Sequence, residues 1–324
     1  MTKEIIAAAG AGRMGRGLAI VFAYAGHPVR LVDLKPRADV AAYLGGARNE
    51  IEETLGMLVA TGMIGEGDVD RIAGRVAYVG AEDAAEALAG ADVIFEGVPE
   101  TLDAKRDAFA FIGEKARPDA IVASTTSTIL SDELQGMVAH PGRFLNAHWL
   151  NPAYLVPLVE LSPGAGTDPE VTARLKVLLE GIGKVPVVMK PSPGFIVPRI
   201  QALAMNEAAR LVEEGVASAE DIDKATLYGL GFRFAILGML EFIDWGGGDI
   251  LHHASRYMAD ATGEDRFEAP EIVKRNMAEG RIGLSTGAGF LDYSGMDIPA
   301  YRAERLSAFV GMLRHMGLLR PPVR

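Results

Sequence analysis

The sequence predicts a doubly wound α/β domain followed by an all-helical one. Three observations carry this. Short apolar runs alternate with helical stretches over the first 190 residues, the pattern of a parallel sheet with helices on both faces. The first run flows directly into Gly10-Ala11-Gly12-Arg13-Met14-Gly15. Beyond the punctuation Lys190-Pro191-Ser192-Pro193-Gly194 the pattern is helical to the end. The boundary is therefore placed near 190, with domains 1–190 and 191–324. A chain of 324 residues suits two domains of roughly 100–200 residues each.

Taken in order, residues 5–9 are short and apolar and read as the first strand. A helical run at 18–25 follows the glycines, and a second strand at 29–32 ends at Asp33. A long helical pattern covers 37–62. Further apolar runs at 76–79, 92–95, 120–123 and 185–189 read as strands, with helical segments near 82–89, 101–116 and 168–181 between most of them. In the second domain, helices are expected at 195–214, 219–228, 249–260, 270–279 and 298–316. No internal repeat or low-complexity segment interrupts the chain.

Composition narrows the function. With 49% hydrophobic and 23% charged residues the chain is ordinary globular material. It has no cysteine, which removes disulfides, thiolate nucleophiles and thiolate metal sites. A net charge of −11 argues against nucleic acid as a partner, because phosphate binding needs a basic face. Met1-Thr2-Lys3-Glu4-Ile5-Ile6 carries no signal-peptide pattern, and no apolar run reaches the ~18 residues of a membrane span. A soluble cytoplasmic protein acting on a small molecule, without membrane or nucleic acid, is expected.

A G-x-G-x-x-G run alone is weak. Here it follows a strand, opens a helix and precedes a second strand ending in an acid, the context that dinucleotide binding requires. Gly10 makes the tight turn, Gly12 lets the backbone approach a pyrophosphate, and Gly15 lets helix and strand pack closely. Asp33 would accept hydrogen bonds from the adenosine ribose and repel a 2′-phosphate, favouring NAD over NADP. Lys35 and Arg37, just beyond, pull the other way.

The chemistry is expected in 143–161. Two apolar runs, 144–145 and 155–159, flank a break at Asn151-Pro152. Proline cannot donate to a ladder and disfavours helix before it, so the stretch reads as strand, turn, strand. The first strand ends at His148; the second carries Glu160. A carboxylate inside an apolar run needs a partner, and His148 is the natural one. A histidine held by a carboxylate is a general base with a fixed tautomer. The plainer alternative is a core histidine with an acid nearby by chance. Elsewhere, His252-His253 point about 100° apart on a helix and do not chelate one metal easily; no metal site is expected.

Together these motifs resemble the 3-hydroxyacyl-CoA dehydrogenase family over essentially the whole length. The resemblance rests on the glycine run with Asp33, Phe95-Glu96-Gly97-Val98-Pro99-Glu100 with Lys105, Ser124-Thr125-Thr126-Ser127, and His148-Trp149-Leu150-Asn151-Pro152 with Leu158-Val159-Glu160. Later come Pro193-Gly194-Phe195-Ile196-Val197, Gly229-Leu230-Gly231 running to Asp244, and Thr286-Gly287-Ala288-Gly289-Phe290 with Asp292-Tyr293. It implies a Rossmann-type domain, a C-terminal helical dimerisation domain and hydride transfer between NAD and a 3-hydroxy/3-oxo substrate. It implies His148 as catalytic base, Glu160 as its orienting partner, and Ser127 and Asn151 at the substrate oxygen. It also implies cofactor contacts from Gly10, Gly12, Met14, Gly15, Asp33, Glu100 and Lys105, and a homodimer to which the apolar run 195–211 contributes.

Three departures bear on the substrate. Pro198 stands where the family has an asparagine. The helical stretch 48–60, lysine-rich in the coenzyme A enzymes, is acidic here, with Glu50, Glu52 and Glu53. Arg233 replaces a proline-rich turn, as in branches acting on free acids such as the gulonate and carnitine dehydrogenases. A guanidinium suits bidentate carboxylate binding; a structural ion pair with Glu241 or Asp244 is the alternative. The expectation is a small hydroxy acid with a free carboxylate. A short-chain 3-hydroxyacyl-CoA dehydrogenase is the runner-up, and a catalytically retired NAD-binding structural protein is the rival from another class.

Overall fold

The computed structural model describes residues 3–322 and divides into two compact units, one reaching Ala204 and one starting at Met205. The first unit is built on an eight-stranded sheet. Strand β1 (Ile6–Ala9) is wholly buried and leads into α1 (Arg13–Tyr24). Then come β2 (Val29–Val32), α2 (Val40–Ala60), α3 (Asp68–Ala73), β3 (Val76–Val79), α4 (Ala84–Ala89), β4 (Val93–Glu96), α5 (Leu102–Lys115), β5 (Ile121–Ser124) and α6 (Ser131–Gln135). The unit continues with β6 (Phe144–Trp149), β7 (Leu158–Pro163), α7 (Pro169–Gly181) and β8 (Val185–Val188).

The strand order is β3-β2-β1-β4-β5-β6-β7-β8. The first six strands pair in parallel, as the βα alternation requires. β6 and β7 are antiparallel, with His148 opposite Glu160. This departs from an all-parallel sheet for a simple reason: residues 150–157 are too few for a crossover, which takes a dozen residues or more. The second strand of that pair also starts later than 155, because Pro152 and Pro157 keep the intervening residues in a loop. Side chains that fix helix starts are legible as caps: Asp39 accepts from the Ala42 N–H at 2.8 Å and Asp168 from Glu170 at 2.9 Å. The Asp39 cap is why α2 begins at Val40 rather than 37. Both sheet faces are covered, with Phe22, Leu55 and Phe95 in one apolar cluster and Phe109, Ile112 and Phe144 in another.

α8 (Val197–Glu213) runs from the first unit into the second. The second unit continues with α9 (Ala219–Ala225), a π-helical turn (Thr226–Gly231), α10 (Phe232–Phe234), α11 (Met239–Gly246), α12 (Gly248–Thr262), α13 (Glu271–Ala278) and α14 (Ile298–His315). The short helices α3, α6, α10 and α11 were not expected, although α4 and α13, equally short as α3 and α11, were. The helical expectation for 219–228 ends instead in the π turn. No single helix among the described residues is long and apolar enough to cross a membrane.

Candidate active site

The carboxyl ends of β1, β4 and β5 lie side by side, in register Ala9–Glu96–Ser124, with Asn146 of β6 next in line and His148 two residues further along that strand. Strand order reverses between β1 and β4, the point at which open α/β sheets bind ligands. The glycines behave as their spacing demands. Gly10 has φ +126°, and a Cβ there would sit 2.6 Å from the Gly97 carbonyl oxygen. A Cβ on Gly15 would fall 2.0 Å from the Gly10 oxygen. Gly12, the cap of α1, has open space where a Cβ would be and provides no side-chain cap. The first-turn N–H groups of α1 therefore remain available to an anion. A pocket of about 300 Å³ lies against this turn, lined by Gly10, Gly12, Asp33, Arg37, Tyr43 and Gly97 among others. A dinucleotide fits these features.

Asp33 is less available than its position suggested. It is buried, and both its oxygens are taken by Arg37, through Nε at 2.6 Å and Nη2 at 3.2 Å. The Arg37 guanidinium lies 3.9 Å over the Tyr43 ring. To accept ribose hydroxyls, Asp33 must first be released from Arg37.

The second group radiates from Glu96. Its carboxylate is fully buried and accepts from Ser124 Oγ at 2.6 Å, the Val98 N–H at 2.7 Å, and Lys105 Nζ at 3.1 and 3.0 Å. Lys105 also reaches Glu100 at 3.3 Å. Glu100 Oε1 in turn collects the 126–128 loop: Thr126 Oγ1 at 2.5 Å, the Ser127 N–H at 2.9 Å, and both N–H and Oγ1 of Thr128 at 3.1 and 2.9 Å. Burial pushes the Glu100 carboxyl up, but the hydroxyl and amide donors and the Lys105 charge outweigh it and hold it below the ordinary value. The loop is thus built around a carboxylate, with Ser127 exposed and its hydroxyl making no hydrogen bond among the described residues. Lys105, only 1% exposed, presents no surface to a ligand. Its place in this structure is that of a buried counter-charge to Glu96 and Glu100.

The third group is the β6–β7 pair. Glu160 Oε2 lies 2.7 Å from His148 Nδ1. Its other oxygen accepts the N–H groups of Ile196 and Val197 at 2.8 and 2.9 Å. Burial raises the Glu160 carboxyl, yet the bonds from His148, Val197 and Ile196 outweigh it and hold it below the usual range. An ionised carboxylate only accepts, so Nδ1 is the donor and the neutral ring keeps a lone pair on Nε2. Phe195 stacks on the imidazole, centroids 4.7 Å apart and planes 25° apart. It does so from a left-handed backbone, φ 49°, a conformation costly for an aromatic residue. Asn151 follows in the loop; it is exposed and has no hydrogen-bond partner among the described residues. It lines a pocket of about 330 Å³ with Arg13, Arg16, Glu50, Thr54 and Tyr154. There Glu50 is paired with Arg16, so the acidic stretch is less repulsive to an anion than its charge count suggests.

In the second unit, Arg233 makes neither of the ion pairs considered for it. Its Nε donates to the Gly229 oxygen at 2.9 Å and its guanidinium lies 4.8 Å over the Phe242 ring. Glu241 is taken by Arg305 at 3.0 Å and by Tyr301. Buried Asp244 accepts the Phe290 and Leu291 N–H groups at 2.9 and 2.8 Å and the Tyr293 hydroxyl at 3.2 Å. This explains the glycine-rich motif, since a Cβ on Gly289 would strike Asp244. No cluster of metal-ligating side chains occurs among the described residues.

Comparison with known proteins agrees with this geometry. Residues 5–192 match the model of the 3-hydroxyacyl-CoA dehydrogenase NAD-binding domain, and residues 194–293 match the C-terminal domain of the same family. The chain belongs to the 3-hydroxyacyl-CoA dehydrogenase family. It is an NAD-dependent dehydrogenase acting on a hydroxyl group.

Among its relatives is the 5-formyl-3-hydroxy-2-methylpyridine 4-carboxylate 5-dehydrogenase of Mesorhizobium japonicum, 32% identical over 95% of this chain and 97% of that protein. Another is the lambda-crystallin homolog of Bos taurus, 37% identical over 78% of this chain and 77% of its own length. The crystal structure of a 3-hydroxyacyl-CoA dehydrogenase from Archaeoglobus fulgidus superposes with a TM-score of 0.77 at 29% identity, covering 98% of this chain and all of that one.

Within this family fold, the structure joins His148 to Glu160, and Glu100 and Lys105 to the Ser127 loop. Three features had no reading beforehand. Glu96 and Phe195 stood inside quoted motifs without a role, and the amides of Ile196 and Val197 carry no side-chain signal. For Glu96 the signal was available: a second acid in an apolar strand, like Glu160, demanded a partner.

Proposed function

We propose that the chain oxidises, or in reverse forms, the hydroxyl group of a small hydroxy acid bearing a free carboxylate. The observation that carries the chemistry is the His148–Glu160 pair. NAD, when bound at the glycine turn, supplies the hydride acceptor. His148 Nε2 takes the hydroxyl proton as the alcohol is oxidised and returns it in the reverse direction, while Glu160 stabilises the imidazolium and fixes the ring. Ser127 and Asn151 offer their unpaired polar groups to the substrate oxygen. Gly10, Gly12, Met14, Gly15 and Asp33 hold the cofactor, and Glu100 shapes the loop beside it.

The free-acid reading is supported by Arg233, whose terminal nitrogens have no carboxylate among the described residues, and by Arg13 on the wall of the Asn151 pocket. A relative named for a pyridine carboxylate substrate points the same way. The second reading, a short-chain 3-hydroxyacyl-CoA, is favoured by the Arg16–Glu50 pairing and by the name of the Archaeoglobus enzyme. A matched panel of free 3-hydroxy acids and their coenzyme A thioesters, followed by NADH absorbance, tests the proposal. A higher kcat/KM on any thioester than on every free acid overturns it. His148→Gln is expected to lower kcat by roughly 10²–10⁴-fold, the usual range for a general base, with NAD affinity kept.

We also infer a homodimer. No residue of α8 is buried, and Ile200, Leu203, Met205 and Val212 on it are exposed apolar side chains. Phe195 drops out of this surface, because it is buried against His148.

A further inference from the structure

One buried cation of the first unit has no role in the chemistry above. Lys184, just before β8, is 9% exposed. Its ammonium donates to the carbonyl oxygens of Ala153 at 2.6 Å and Val156 at 2.9 Å and lies 5.8 Å over the Trp149 ring. No carboxylate is within ion-pair distance of it among the described residues. Lys105, the other deeply buried lysine, has two. An ammonium carries three donors, so one N–H is left without a protein acceptor. A desolvated cation with an unused donor and no counter-ion is costly, and burial accordingly pushes the Lys184 ammonium down from the ordinary lysine range.

Lys184 stands on the wall of a cavity of about 270 Å³ whose lining includes Ile20, Val21, Leu58, Met63, Leu155 and Ile182. The glycine-turn pocket has a wholly different lining, while Ile20 and Tyr154 border both this cavity and the Asn151 pocket. A partly open, mainly apolar pocket with two tyrosines, Tyr24 and Tyr154, and one cation on its wall is the complement of an amphiphilic anion. Phosphates and dicarboxylates would leave charge against the aliphatic wall; a single carboxylate on a short hydrocarbon would not. The volume admits roughly nine heavy atoms at the ~30 Å³ that each liquid water occupies.

We propose that this cavity binds a small apolar monocarboxylate, its head on Lys184 and its hydrocarbon among Ile20, Leu58, Met63 and Ile182. The head group lies behind the loop whose carbonyls Lys184 already holds, the loop that begins with Asn151. Occupancy therefore bears on that loop, and because this lining shares no residue with the glycine-turn pocket it does so without competing with NAD.

The test is calorimetric titration of the full-length, NAD-loaded protein with hexanoate and, separately, with 1-hexanol. Hexanoate is expected to bind at least about tenfold more tightly than 1-hexanol. Lys184→Met should weaken hexanoate at least about tenfold and leave 1-hexanol unchanged. Met63→Trp fills the cavity from an exposed position; it should abolish hexanoate binding while preserving NAD affinity and turnover. Should Lys184→Met fail to fold by circular dichroism, Met63→Trp decides alone. Equal affinity for the acid and the alcohol overturns the proposal. So does hexanoate binding that survives Met63→Trp, since the anion would then lie elsewhere, for instance on Arg233.

Discussion

Replacing Glu160 by glutamine separates the two tasks of this residue, and the outcome follows from counting donors. Three donors converge on the carboxylate: His148 Nδ1 at 2.7 Å on one oxygen, and the Ile196 and Val197 amides at 2.8 and 2.9 Å on the other. An amide has one acceptor end. With its oxygen towards the two amides, its NH₂ faces His148 and makes Nδ1 the acceptor. The ring proton then sits on Nε2, where the base should be bare. With its oxygen towards His148, two part-buried N–H groups face a donor and lose their acceptors, at up to ~1–3 kcal/mol each, less where water reaches them. The first orientation keeps two bonds and is the one the protein will adopt. Activity should therefore suffer far more than stability. A wrong tautomer behind a general base costs roughly 10⁴-fold in kcat in the serine protease case, and 10²–10⁴-fold is expected here. Urea unfolding should show at most about 2 kcal/mol of destabilisation, within the range of ~1.5–3 kcal/mol for one hydrogen bond to a charged group. Steady-state NADH absorbance, the NAD dissociation constant and the urea midpoint make the comparison. Turnover within about threefold of the parent would refute the tautomer argument, and a large loss of stability with turnover kept would reverse the assignment of roles.

Asp33→Ser should remove an acid that repels a 2′-phosphate and free Arg37 to receive one. The ratio of kcat/KM for NADP over NAD should rise at least about thirtyfold, equivalent to ~2 kcal/mol at 1.4 kcal/mol per decade. An unchanged ratio would mean that neither Arg37 nor Lys35 reaches the phosphate. Arg233→Met should raise KM for a free hydroxy acid at least about tenfold without altering NAD affinity or the thermal midpoint; a lowered midpoint with unchanged KM would mark Arg233 as structural. Glu100 and Glu160 both have folded values held below the ordinary glutamate value of 4.5. Their stabilisation is therefore complete above that value and is lost as pH falls through the lowered one. Glu100→Gln should flatten the fall of stability as pH drops below 4.5 relative to the parent, read by urea unfolding at each pH. Light scattering at micromolar concentration should give twice the chain mass, and a monomer mass would remove the dimer.

The fold was legible because its signals are local and periodic. Each strand of the first unit announced itself as a short apolar run, and the glycine turn stood where a strand meets a helix. What escaped has physical reasons. A six-residue helix such as α3 offers fewer than two turns to a 3.6-residue period, although α4, equally short, was expected. In 143–161 the strand–turn–strand pattern leaves unstated only that β6 and β7 pair antiparallel, which the short connection dictates. The His148–Glu160 contact was inferable because a carboxylate in an apolar strand needs a partner. Phe195 was not inferable as its cover, because a left-handed phenylalanine after Gly194 has no sequence mark.

Asp33 shows where residue-by-residue reading stops. Its position at the end of β2 puts it on the wall of the pocket at the glycine turn, but its availability depends on Arg37, four residues later, and on Tyr43 beneath that guanidinium. Glu96 makes the same point from the opposite side. Nothing in its spacing to Ser127 suggests a link, yet Glu96 holds Lys105, Lys105 holds Glu100, and Glu100 gathers the loop from Thr126 to Thr128. The site is thus carried by charge relations running between strand ends. A substitution at buried Glu96 should misplace Ser127 although the two share no contact. The expected readout is a lower kcat in Glu96→Gln with NAD affinity kept, because the buried chain from Glu96 through Lys105 to Glu100 sets where the Ser127 loop stands.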